Sequence, residues 1–186
     1  MRGSTGLGET KFPYDVLFIL NRFFGVMAKA VAASNGHYSQ FTGDGLMALY
    51  GLEAADPTTG PAQAVRGAQH MLASLDELNH QLRGELSTPL RIGIGIHYGE
   101  AIVGAMGPPR SQIITAIGDT VNTCARLESL TKDYDCVAIV SQRAAELAGL
   151  DATGLTLQQA PVKGRSEPVH FYALKTLAEL SIAAPA

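Results

Sequence analysis

Cysteine is nearly missing from this sequence: Cys124 and Cys136 are the two in 186 residues, and neither stands at a metal-ligand spacing. A disulfide scaffold and a structural zinc site are thereby excluded, and a reducing, cytoplasmic compartment is the expectation. Charge is sparse too. Charged residues make up 17% of the chain, 14 basic against 17 acidic for a net charge of −3, with no basic tract. A surface built for nucleic acid is not expected from that balance. No apolar run reads as reaching the ~20 residues that span a bilayer, so a soluble segment without membrane contact is expected. Met1-Arg2-Gly3-Ser4-Thr5 also lacks the hydrophobic stretch of a signal peptide. Core material, by contrast, is plentiful: 46% of the residues are hydrophobic in a chain of 19.6 kDa with a mean hydropathy of +0.11. That supply and length predict one globular domain around a single core.

Apolar residues at Val16, Leu20, Phe23, Met27 and Val31, with Pro13 early and Asn35-Gly36 as a stop, predict an amphipathic helix over 12–34. His37 to Gly43 and Leu46 to Tyr50 read as a hairpin turning at Asp44-Gly45, a pair that tolerates positive φ. Val65, Ala68, Leu72, Leu75, Leu78 and Leu82 mark a second helix, the longest element expected. Alternation from Leu90 to Ile96 predicts a strand whose face at Gly93 and Gly95 is open to close packing, by a helix rather than a ligand. Ala101 to Met106 and Gln112 to Ile117 follow as a projecting hairpin around Gly107-Pro108-Pro109. A third helix opens at Gly118-Asp119 with Asp119 as N-cap, Asn122, Arg126, Ser129 and Asp133 as its polar stripe, and Val121, Cys124 and Ala125 as its apolar one. Cys136 to Val140 is expected as a strand, Ser141 as the cap of a short helix through Leu147, and Val169 to Leu174 as the last strand. The reading is an α/β (α+β) sandwich, helices on one face of a mainly antiparallel sheet, with a domain over 1–178 and a loose tail over 179–186.

Taken singly, the candidate functional residues have ordinary readings. Asp44 presents a carboxylate at a hairpin tip, where it can bind a hard cation or simply serve a turn. Asn122 and Arg126 lie four apart, so an amide and a guanidinium share one helix face, as they also would on any solvated helix. Arg126 has the fork of donors that matches phosphate oxygens. Lys163, beside Gly164, pairs a cation with a flexible residue, and Gly3, Ser4 and Thr5 precede a helix and offer backbone N–H groups to phosphate.

Their order carries more than any one of them. Phe41-Thr42-Gly43-Asp44-Gly45-Leu46-Met47-Ala48, then Gly118-Asp119-Thr120-Val121-Asn122-Thr123-Cys124-Ala125-Arg126-Leu127-Glu128, then Val162-Lys163-Gly164 resemble the catalytic domain of class III adenylate and guanylate cyclases, from Met1 to about Leu174. The resemblance implies a ferredoxin-like nucleotidyl cyclase fold. It implies attack of a ribose 3′-hydroxyl on the α-phosphate of its own nucleoside triphosphate, assisted by two Mg²⁺ or Mn²⁺ ions. Asp44 then matches one of two metal-holding Asp residues. Asn122 matches the residue that orients ribose, Arg126 the one that stabilises charge at the α-phosphate, Lys163 the one on the terminal phosphates, and Gly3, Ser4 and Thr5 the phosphate loop. The sites lie between two chains packed head to tail, so a homodimer is implied.

Two departures bear on that expectation. The family's first metal Asp falls immediately before Met1, so the first strand and its carboxylate are expected to be missing, as from a piece of a longer, membrane-anchored or sensor-bearing protein. The base-reading pair falls on Gln40 and Thr115, and Gln40 both donates and accepts, which leaves the purine open. Adenylate cyclase is the leading expectation. Guanylate cyclase and a non-catalytic dimerisation or nucleotide-binding module stand as alternatives, while Thr42-Gly43-Asp44-Gly45-Leu46 departs from the Gly-Gly-Asp/Glu-Glu-Phe of diguanylate cyclases.

Overall fold

The structure is a computed structural model and describes residues 1–2, 12–162 and 167–182. Helix α1 (Pro13–Ala33) begins with Pro at its first turn and ends where Asn35 takes φ +57°. Gly36 follows because a Cβ there would stand 2.5 Å from the Tyr50 ring. Ile19, Phe23, Met27, Ala30 and Val31 form the buried stripe of α1 and pack on α2 (Thr59–Gln81), which returns Val65, Ala68, Leu72, Leu75 and Leu78. At 21 residues, α1 is long and apolar enough to cross a membrane by length and composition, contrary to the expectation from the sequence. Asn21, Arg22 and Lys29 interrupt the run, and its buried stripe is used as core.

Strands β1 (His37–Thr42) and β2 (Gly45–Leu49) form an antiparallel hairpin. A four-stranded sheet in the order β3-β6-β8-β7 joins Ile94–Ile96, Ala138–Ser141, Val169–Leu174 and Leu157–Ala160, with β3 parallel to β6 and the other two pairs antiparallel. Strands β4 (Ile102–Met106) and β5 (Ile113–Ile117) make a second hairpin. It projects as expected, with Ile102 77% and Ile117 55% exposed and Val103, Met106, Ile113 and Ile114 also open to solvent. Helix α3 (Asp119–Asp133) and the short α4 (Gln142–Ala148) complete the mixed α/β architecture.

Helices cover both faces of the four-stranded sheet, not one. Along β6, Ala138 and Val140 point into the core shared with α1, α2 and α4, whereas Ile139 points into a second cluster with Leu127 and Leu130 of α3 and Phe171 of β8. A strand buried on both faces reads as a continuous apolar run, which hides which side each helix takes. Strand β3 is shorter than the alternation predicted, because Arg91 pairs only as an isolated bridge with Arg2. Strand β7 was not anticipated: Leu157, Gln158 and Gln159 show no apolar alternation, and β8 supplies its pairing. The expectation of a loose tail from 179 also fails as far as Ile182. Leu180 is fully buried, its carbonyl accepts from Gln69 Nε2 at 2.5 Å, and Ile182 bridges Leu150.

The open face of β3 receives α3. A Cβ on Gly95 would lie 2.5 Å from the Cys124 carbonyl oxygen and 2.6 Å from the Glu128 nitrogen, and one on Gly93 2.0 Å from Thr131 Oγ1. Gly95→Ala is therefore expected to cost at least the ~1–3 kcal/mol of core overpacking, since backbone rather than a side-chain tip must give way. Gly104→Ala, at a position with nothing within 4 Å, serves as the reference. A denaturant midpoint for Gly95→Ala equal to that of Gly104→Ala would contradict the close contact.

Candidate active site

The β1–β2 turn is made by Gly43 and Asp44 rather than Asp44-Gly45, because Thr42 pairs with Gly45. Only Gly43 has positive φ, +65°. This one-residue shift puts Asp44 at the tip with its side chain 48% exposed. The Met1 ammonium donates to the Asp44 carbonyl at 2.6 Å and stands 3.9 Å from Asp44 Oδ2. Burial holds that ammonium below its usual pKa, against the pull of Asp44. Arg2 fixes this end in place: its N–H donates to the Arg91 carbonyl at 2.7 Å, and its guanidinium reaches the carbonyls of Thr131 and Cys136. Met1–Arg2 thus runs antiparallel to the approach to β3 and ends at the hairpin tip.

Gln40 is half-buried on β1 and Thr115 is buried on β5. The two strands belong to different sheets but meet where Ser39 Oγ donates to the Ile114 carbonyl at 2.7 Å, so Gln40 and Thr115 each adjoin a partner in that bond. Asn122 and Arg126 stand exposed one turn apart on α3, and neither makes a hydrogen bond or ion pair among the described residues. Among those residues nothing links them to Asp44 within the chain.

Gly118, at φ 148°, is the N-cap of α3, and Asp119 is its first helical residue, so the helix begins one position earlier than expected. The buried stripe is Thr123, Leu127, Leu130 and Thr131 rather than Val121, Cys124 and Ala125. The polar residues anticipated on the opposite side are exposed, which leaves the Asn122–Arg126 face open. Cys124 donates its thiol to the Gly95 carbonyl at 3.3 Å, and burial pushes its pKa up to about 11, so it is a packing group and not a nucleophile. Ser141 occupies the N-cap of α4, yet its hydroxyl makes no capping bond.

Gly3, Ser4, Thr5 and Lys163 lie outside the described residues. A cleft of about 540 Å³ opens elsewhere, between His97, Glu100, Glu167 and His170, and no predicted site residue lines it. Ser39 and the Arg2 anchor went unnoticed in the sequence, because each works through a backbone carbonyl distant in the chain and no local motif marks such a bond.

The chain matches the family model described as "Adenylate and Guanylate cyclase catalytic domain" over residues 1–176. It is similar to an adenylate cyclase of Anabaena cylindrica, 30% identical over 94% of this chain and 35% of the relative. It is also similar to adenylate cyclase 1 of Rhizobium meliloti, 32% identical over 90% of this chain and 25% of that one. The chain therefore spans about a third or less of these relatives' length. Among solved structures, that of the guanylyl cyclase Cya2 superposes with a TM-score of 0.81 at 31% identity, covering 93% of this chain and 86% of the other. That of the adenylyl cyclase CyaB from P. aeruginosa gives a TM-score of 0.75 at 26% identity, covering 94% and 89%. Sequence order, fold and these likenesses agree, and the chain belongs to the adenylate and guanylate cyclase catalytic domain family.

Proposed function

We propose that this domain converts ATP to 3′,5′-cyclic AMP and pyrophosphate, for cyclic-nucleotide signalling, at sites shared between two copies of the chain. The observation that carries the reading is the separation of its parts. Asp44 sits at a hairpin tip while Asn122 and Arg126 present an exposed face whose side chains have no partner among the described residues. Groups held out to solvent in this way suit a site completed by a second chain, and the open apolar face of the β4–β5 hairpin supplies surface for such a chain to cover. The curated relatives named as adenylate cyclases support ATP over GTP.

In this reading Asp44 is the protein's anionic ligand to a divalent cation, Mg²⁺ or Mn²⁺. Among the described residues no group of three or more His, Cys, Asp or Glu gathers as a cage. That donor set fits a cation held jointly by one carboxylate and substrate phosphates. When bound, such ions acidify the attacking hydroxyl and offset phosphate charge. Asn122 orients the ribose, and Arg126 places its guanidinium against the charge that develops at the α-phosphate. Gln40 and Thr115 read the purine edge, while Lys163 and the backbone of Gly3, Ser4 and Thr5 hold the outer phosphates.

The test is turnover by the purified protein with Mn²⁺ and either ATP or GTP, cyclic product being quantified against a metal-free control. Cyclic AMP in excess of cyclic GMP supports the proposal. Cyclic GMP in excess would reassign the substrate, and nucleotide binding without any cyclic product, even after a carboxylate is supplied next to Asp44, would leave a binding module.

A further inference from the structure

We infer that Ser39 is a positioning residue for the base-reading pair: as the extra residue of a β-bulge it stands outside the ladder and leaves Gln40 facing away from the core, and its hydroxyl ties β1 to the strand that carries Thr115. The inference rests on the cyclase reading above, since it concerns how Gln40 meets a purine.

Gln40 stands opposite Met47 and Tyr38 opposite Ala48, so Ser39 has no cross-strand partner. Residues directly opposite in an antiparallel pair share a face, and successive residues along a strand alternate faces. Met47 and Ala48 therefore take opposite faces, and so do Tyr38 and Gln40. In an unbroken strand those two, being two apart, would share one. Tyr38, Leu46 and Ala48 pack against the main core. Were Ser39 in the ladder opposite Met47, Gln40 would fall opposite Leu46 and its amide would be carried onto that apolar side, at the cost of burying an unpaired polar group. A bulge is the device that re-aims a side chain in this way, and here it does so four residues before Asp44.

The bulged residue is also fastened. Ser39 is 4% exposed, and its Oγ donates at 2.7 Å to the carbonyl of Ile114, the residue before Thr115, which is itself 3% exposed. β1 and β5 share no ladder, so this bond sets the approach of one hairpin to the other near the two side chains that would meet the base. A slack connection would let Gln40 and Thr115 drift apart while leaving both present.

The experiment measures dissociation constants for ATP and GTP, with Mn²⁺, in the full chain and in Ser39→Ala and Ser39→Thr. Alongside, it measures thiol-labelling rates at Gln40→Cys with Ser39 present or deleted, background from Cys124 and Cys136 being subtracted. Ser39→Ala is expected to weaken the preferred nucleotide about two- to tenfold, the worth of one neutral hydrogen bond, and to draw the ATP:GTP ratio toward one. Ser39→Thr, which keeps the hydroxyl, retains the parent ratio. Deletion of Ser39 makes Tyr38 and position 40 consecutive, opposite Ala48 and Met47 as before, so labelling at position 40 is expected to keep the parent rate. An unchanged ratio in Ser39→Ala overturns the positioning role, and markedly slower labelling without Ser39 overturns the bulged register. A parent chain that binds neither nucleotide defeats the cyclase reading instead, and the labelling rates then decide the geometry on their own.

Discussion

Asp44→Asn should reduce Mn²⁺-dependent formation of cyclic nucleotide by about 10²–10³-fold or more, the scale on which removing one preorganised charge-stabilising group acts. The substitution keeps the shape of the side chain and removes its charge, so the hairpin tip is preserved and only cation binding suffers. The assay needs a form that turns over measurably. The Met1 nitrogen lies 3.9 Å from Asp44 Oδ2, so a residue joined to that nitrogen stands beside the Asp44 carboxylate. A chain extended there by a short strand ending in Asp should continue the Arg2–Arg91 pairing onward along β3 and bring a second anionic ligand to the first. The extended form is expected to exceed the 186-residue form clearly in turnover and to unfold at a higher denaturant concentration, because the added strand satisfies backbone groups along that edge. Equal turnover and equal midpoints for the two forms would show that a second carboxylate at this point is unnecessary. Survival of activity in the extended Asp44→Asn chain would remove Asp44 from the metal site.

Arg126→Ala should lower kcat by about 10²-fold with little change in KM, the pattern of an interaction that strengthens in the transition state. Its side chain is exposed and makes no ion pair among the described residues, so truncation leaves no buried partner stranded, and the denaturant midpoint should hardly move. That separation makes the kinetic loss interpretable. The composite-site reading places Arg126 of one copy against Asp44 of the other. Mixing inactive Asp44→Asn with inactive Arg126→Ala should then restore activity, since one of the two sites in each heterodimer carries both native residues. Verified heterodimers that stay inactive would sink the composite site. A rise in KM alone would move Arg126 to ground-state binding.

Much of this was legible in the sequence where local chemistry governs. The α1 stripe at Phe23, Met27 and Val31, the open Gly93 and Gly95 face, and β8 as Val169–Leu174 all follow from periodicity and steric need. Errors clustered where a long-range partner decides. The Gly43-Asp44 turn depends on the register of Thr42 with Gly45, and Asp-Gly chemistry alone points one residue too far. Thr131 is buried although polar, because the side-chain-free Gly93 of the strand approach receives it at close range. The Ser39 bulge could not be foreseen, since it is defined by Met47 and Ala48 and anchored by Ile114. Asp44, Asn122 and Arg126 stand as candidates because family order, rather than local spacing, singles them out. That order says nothing of the distance between them.

The glycine-lined contact between β3 and α3 has a mechanical meaning. With Gly95 seated against the Cys124 carbonyl and the Glu128 nitrogen, a slide of α3 along the strand by even one residue, about 1.5 Å of helix rise, would drive main chain into main chain. The helix that displays Asn122 and Arg126 is in effect welded to the sheet, and these side chains can travel only when the whole block travels. In the two-copy site proposed above, opening or closing would then be a rotation of one copy's rigid block against the other's, with the β1–β2 tip of one and the α3 face of the other as the two jaws.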